Sequence, residues 1–158
     1  MPEWNHLHPA VVHFPIALLL TAPLLVLAGL FWPSQRKGIH AAALLLLVLG
    51  SGGAVLALFT GQAAEPFARR TAELRAAVNL HEELAQTAAR LFVILTMAFA
   101  VLWAVPLLRK RPLPAKLEAA LMVLWLLLAG MGMVKLAQAG HEGGHMVHDL
   151  HTHGGPGS

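Results

Sequence analysis

Residues 10–32 read AVVHFPIALLLTAPLLVLAGLFW and residues 41–64 read AAALLLLVLGSGGAVLALFTGQAA, and neither run holds a lysine, an arginine or an acidic side chain. Each exceeds the roughly 20 residues that carry a helix across the hydrocarbon of a bilayer. Two further uncharged runs follow, Leu91–Leu108 with 18 residues and Ala119–Val134 with 16. Lys116 and Lys135 flank the last of these, and their stems can lie in the apolar layer while the ammoniums reach headgroups. Inside hydrocarbon every backbone amide must find its partner within its own segment, so isolated runs of this kind must be helical. A barrel would show short alternating strands instead. The reading is all-α: an integral membrane four-helix bundle over residues 1–139, followed by a His/Gly-rich tail over 140–158.

Composition agrees. Of 158 residues 57% are apolar and 12% charged, against about 25% charged in soluble domains. There is no cysteine, which excludes disulfides, thiolate metal sites, iron–sulfur ligation and covalent haem attachment. The net charge of +3 comes from segments that flank the spans, without the basic aromatic patch expected of a nucleic-acid binder. No Ser/His/acid arrangement or phosphate-binding glycine loop is present, so independent hydrolytic or nucleotide chemistry is not expected. The N-terminal segment lacks a basic stretch and a small-residue cleavage site, and reads as a retained first helix.

Proline places the first helix. Pro9 suits the first helical position and disfavours helical geometry at His8, so helix one is expected to start at Pro9 and to end near Pro33. Helix two is expected over Ile39–Thr60, with Gly53, Ala57 and Gly61 as a stripe that admits a close neighbour. Between Pro66 and Phe92 the residues Phe67, Thr71, Leu74, Val78, His81, Ala85, Ala88 and Phe92 recur at alternating spacings of four and three, the seam of a packed helix. Asn79 followed by Glu82 also has the form of a capping box, where a helix would restart.

The first and third loops carry Arg36, Lys37, Arg109, Lys110, Arg111 and Lys116, whereas the other side carries Arg69, Arg70, Arg75, Arg90 and Lys135 over longer segments. The denser basic side is expected in the cytoplasm. Both termini then face the outside, the periplasmic side of a bacterial inner membrane that the chain crosses several times. That topology gathers His6, His8, His13, His81, His141, His145, His148, His151 and His153 at the outer face and leaves His40 inside.

Imidazole is a common ligand of metals and of haem, and ionisable groups at membrane depth are functional candidates. His13 enters the bilayer, two residues before Pro15, and either binds a ligand or donates to a carbonyl that the proline leaves free. His81 either binds a ligand or bonds a neighbouring helix, and Glu82 either binds a metal or caps. In the tail, His141, His145 and His148 follow one another at four and three, with Glu142 and Asp149 as oxygen donors. The tail's glycines argue against helix there, leaving a loose metal-binding tract as the alternative.

The stretch Leu7-His8-Pro9-Ala10-Val11-Val12-His13-Phe14-Pro15-Ile16-Ala17-Leu18-Leu19, then Thr60-Gly61 with Ala64-Glu65, then His81-Glu82, resembles the bacterial membrane family called domain of unknown function 2231. The family's usual ending, a Gly-Gly, a hydrophobic pair, an aromatic and His-Gly, is matched loosely by Gly143-Gly144-His145-Met146-Val147-His148, with histidine in place of the aromatic. The resemblance implies a four-helix membrane protein without an assigned activity. It also implies association with redox modules such as cytochrome c or Rieske proteins, which favours electron transfer.

Three functions fit these readings. The first is a b-type cytochrome in which His13 and His81 ligate haem b near the outer face, as four-helix bundles do between facing helices. Counted from Trp32 and Leu108, however, His13 is 19 residues from its helix end and His81 is 27, a mismatch of roughly 12 Å at about 1.5 Å per residue. His8, at 24 residues, matches His81 better. The second is a divalent-metal-binding or transport module using His8, His13, Glu65, His81 and Glu82, with the tail histidines capturing the ion. The third is a cofactor-free membrane anchor of a redox complex, or a homo-oligomer, with Gly53, Ala57 and Gly61 facing protein.

Overall fold

The structure, a computed structural model, describes residues 4–68 and 72–145, with side chains described over 12–61 and 75–144. It consists of α1 (Trp4–Phe31), α2 (Arg36–Ala68), α3 (Ala72–Leu108) and α4 (Ala115–His145), with no strand among the described residues. All four are long and apolar enough to cross a bilayer, over Val12–Phe31, Arg36–Gly61, Arg75–Leu108 and Ala115–Gly144. Successive helices run antiparallel, so α1 begins and α4 ends at the same end of the bundle, here the terminal end. The α1–α2 and α3–α4 loops lie at the opposite end. Packing is most extensive between α1 and α2, then between α3 and α4 and between α2 and α3, and slight between α1 and α4. α1 and α3 therefore sit across the bundle from one another.

The interior is built on the seams. On α1, Pro15, Leu19, Ala22, Val26 and Gly29 are buried at alternating four- and three-residue steps. On α3, the seam expected through Val78, His81, Ala85, Ala88 and Phe92 is half-buried to buried and continues through Leu95 and Phe99. Phe92, Phe99 and Trp125 fill the centre together with Leu19 and Leu47. Large apolar side chains such as Leu24, Ile94 and Leu127 point outward, as expected where lipid replaces water as the solvent.

Several polar groups in the interior are paired, with His40 Nε2 and Trp103 Nε1 as the exceptions among the described residues. The Thr96 hydroxyl donates to the Phe92 carbonyl at 2.7 Å, which leaves its oxygen to accept from Ser51 at 2.8 Å. Trp125 Nε1 donates to the Leu95 carbonyl at 2.9 Å, tying α4 to α3. α2 and α1 meet at small residues: Gly53 faces Pro15, and Gly50 faces Leu18 and Leu19. Gly53 and the buried Ala57 are thus taken up by packing, as the close-approach reading of that stripe anticipated.

Several element boundaries differ from expectation. α1 starts at Trp4, so His8 is helical despite preceding proline; Pro9 removes one donor, whereas unwinding a turn at a membrane would orphan several. α3 is continuous across Asn79, so no helix restarts there. α2 begins at Arg36 and runs beyond Thr60 to Ala68. α4 includes Gly140, Gly143 and Gly144 and ends at His145. Glycine costs about 1 kcal/mol relative to alanine in a helix, yet Gly143 lies against the His81 ring, where a Cβ would be 3.3 Å from Cε1 and the ring would have to give slightly.

The end of α3 is locally defined. Arg111 N–H donates to the Pro106 carbonyl and Lys110 N–H to the Leu107 carbonyl, with Lys110 at φ 51°. This is a Schellman termination in which lysine occupies the left-handed position that usually takes glycine.

Candidate functional site

At the terminal end, His81 is half-buried on the α3 seam, and its Nδ1 lies 2.8 Å from the Ala139 carbonyl of α4. A carbonyl only accepts, so Nδ1 carries the proton, and in a neutral ring Nε2 keeps its lone pair. That is how ligating histidines are commonly held: one nitrogen donates to a backbone oxygen and the other is presented to a metal. Glu82, the next residue, is half-buried and accepts from Gln86 Nε2 at 3.0 Å; Gln86 in turn accepts from Arg90 at 2.9 Å.

The remaining candidates are distributed as follows. His13 is exposed, pointing away from the buried stripe of α1. His6 and His8 fall in the first turns of α1 and Glu65 in the last turn of α2, where the helix is described and the side chains are not. His141 is exposed on α4 and His145 closes that helix. His148, His151 and His153 lie outside the described residues.

The structure does not bring His13 and His81 together. Pro15 faces Gly53 on α2, and Ser51 of α2 meets Thr96 of α3. α1 near Pro15 and Leu19 is therefore level with α3 near Phe92 and Thr96, and His13 is level with the region of Leu91. His81 lies about ten residues further along α3, or roughly 15 Å at about 1.5 Å per residue. Tilt does not close the mismatch expected from the sequence, and the two residues are on helices that face each other across the bundle. His8 lies one heptad before Pro15 along α1 and closer to the level of His81. Among the described residues no three His, Asp or Glu side chains converge closely enough to hold a metal ion.

The opposite end holds a site that sequence reasoning missed. His40 is 3% exposed, and its Nε2 is buried without a hydrogen-bond partner. The ring packs edge-on against Phe99, with centroids 5.6 Å apart, and presses on Gly29 of α1 so closely that a Cβ there would lie 2.3 Å from Nε2. Val26 offers its backbone carbonyl to the ring, without meeting the geometry of a hydrogen bond at Nε2. Above it, Arg36 donates through Nε to the Gly29 carbonyl at 3.1 Å and through Nη1 to Glu118 at 3.3 Å, joining α1, α2 and α4. The signal was present: His40, Ala43 and Leu47 are spaced three and four apart on the α2 seam, and Gly29 continues the α1 seam. A count of histidines by membrane side passed over it.

A family model described as a predicted membrane protein, domain of unknown function 2231, matches residues 5–156. The chain belongs to this family. The match extends beyond the first two thirds of the chain, where the sequence resemblance was read, and takes in α4 and most of the His-rich tail. No curated protein and no solved structure matches the chain.

Proposed function

We propose that this member of the family is a multi-pass subunit of the bacterial inner membrane that holds a divalent transition metal at the terminal end of its bundle, with His81 as the anchoring ligand. The observation that carries the reading is the His81 Nδ1 contact to the Ala139 carbonyl at 2.8 Å, which fixes the tautomer and frees Nε2. Glu65 and His8 come from helix ends at the same end of the bundle, and Glu82 is adjacent to His81. A mixed nitrogen and oxygen set of this kind suits zinc, iron or manganese. His141, His145 and His148 would capture the ion from the aqueous side, which the basic loops at the opposite end argue to be the periplasm.

The test is elemental analysis of the chain purified in mild detergent and exposed to zinc. The expected outcome is about one equivalent retained, as for a single closed site; His81→Ala should release it and His13→Ala should retain it. Retention by His81→Ala, or no retention by the parent, overturns the reading.

The same imidazole orientation also favours a second reading, in which His81 is an axial ligand of haem b and the subunit passes electrons to a cytochrome c-like or Rieske-like partner. Register makes His8 a better opposing ligand than His13. An absorption spectrum separates the two readings: a Soret band lost in His81→Ala supports haem, and a colourless protein with stoichiometric metal supports the first. A protein with neither, copurifying with a redox complex, would be the cofactor-free anchor.

A further inference from the structure

The outer surface of the α1–α2 hairpin carries a groove of about 520 Å³ at the end opposite the termini, lined by Leu25, Ser34, Gln35, Gly38, Ile39 and Ala42. Its two ends differ chemically. Ser34 and Gln35 are exposed in the loop, whereas Leu25, Ile39 and Ala42 make an apolar floor along the two helices. Gly38 keeps that floor open, because nothing lies within 4 Å of the point where its Cβ would be. Trp32, 57% exposed, marks where the groove crosses from headgroups into hydrocarbon, since exposed tryptophan concentrates at that boundary. Leu25 is seven residues below Trp32 on the same chain, so the groove reaches roughly 10 Å into the apolar layer at about 1.5 Å per residue.

The exposed charge at this end of the bundle has one sign. Lys37, the residue before Gly38, is exposed, and Arg109, Lys110, Arg111 and Lys116 are exposed in the α3–α4 loop at the same end. Glu118, the one acid at this end, is engaged by Arg36 and does not offset them. A surface groove with a polar mouth at headgroup level, an exposed lysine next in the chain to its lining and an apolar floor beneath matches an amphiphile carrying an anionic head.

We propose that this groove seats one anionic phospholipid, its phosphate beside Lys37, Ser34 and Gln35 and the upper part of an acyl chain against Leu25, Gly38 and Ala42. The groove is at the other end of the bundle from His81, so the proposal stands whether or not a metal binds there.

The test is native mass spectrometry of the full chain, delipidated in detergent and offered phosphatidylglycerol or phosphatidylcholine with identical acyl chains. Single-lipid occupancy should favour phosphatidylglycerol by about fivefold or more, the preference that one basic side chain confers beside an anionic head. Gly38→Leu fills the channel with a better helix former, so helicity and melting should hold while phosphatidylglycerol occupancy falls about fivefold. Lys37→Glu should erase the preference between the two lipids. Equal occupancy by both lipids in the parent, no retained lipid, or undiminished binding by Gly38→Leu overturns the proposal.

Discussion

The two ends of this bundle are held by different means. At the end opposite the termini, His40 is wedged against Gly29, and Arg36 bonds both the Gly29 carbonyl and Glu118, so that three helices are clasped by side chains. At the terminal end, the cross-helix hydrogen bond described is that from His81 to Ala139, and the ring rests on Gly143. The first arrangement leaves no space at its centre and is built for rigidity. The second leaves an imidazole nitrogen with a free lone pair, which is what a ligand site requires. His40 and His81 thus share a seam position and differ in their surroundings, one ring wedged against Gly29 and Phe99 and the other bonded to a backbone carbonyl of α4.

The change that should break this contrast most severely is Gly29→Ala. The new Cβ meets His40 Nε2 at 2.3 Å, and neither helix backbone can yield without loosening the Arg36 clasp. A loss of about 1–3 kcal/mol is expected from overpacking, measurable by reversible unfolding in mixed micelles. At the terminal end His81→Leu removes the bond to Ala139 without adding a larger ring beside Gly143, with an expected cost of about 1 kcal/mol in the same assay. A cost for His81→Leu larger than that of Gly29→Ala would reverse the assignment of which end is the rigid one.

Smaller changes sharpen it. Glu118→Gln breaks a part-exposed ion pair, for which about 0–1 kcal/mol is expected, diminishing as salt is raised. Lys110→Gly relieves a left-handed lysine at φ 51° and should stabilise by about 1 kcal/mol or less. His13→Ala, on an exposed face of α1, should change stability by less than about 0.5 kcal/mol. A large effect of His13→Ala on folding or on metal retention would restore the pairing that the register argues against.

The spans were readable because lipid imposes a single rule: the uncharged runs from Ala10, Ala41, Leu91 and Ala119 each fall within one helix, the first but for Trp32 just past its end. The α3 seam was readable for the same reason that it packs, since Val78 to Phe92 recur at the spacing that repeats one helix face. His13 misled because proximity to the membrane was weighed and rotation about the axis was not. Stepping in fours and threes through Pro15, Leu19 and Ala22 leaves His13 off the buried stripe, so its outward direction was recoverable from α1 alone. The helical Gly140–Gly144 stretch was not recoverable from propensity, and the ring of His81 that lies against Gly143 comes from another helix. The place of His40 on the α2 seam was readable from its spacing to Ala43 and Leu47, whereas its contacts with Gly29 of α1 and Phe99 of α3 exist only once the helices assemble.

The hydroxyl pair of Ser51 and Thr96 also acts as a key in a slot. Sliding α3 along α2 by one helical turn would displace the two oxygens by about 5.4 Å and break the bond between them, while Thr96 kept its bond to Phe92 within α3. Only one axial setting therefore joins them. That setting fixes the height at which His81 arrives opposite the last turn of α2, so an alcohol pair near the middle of the protein gauges the depth of the imidazole many residues away.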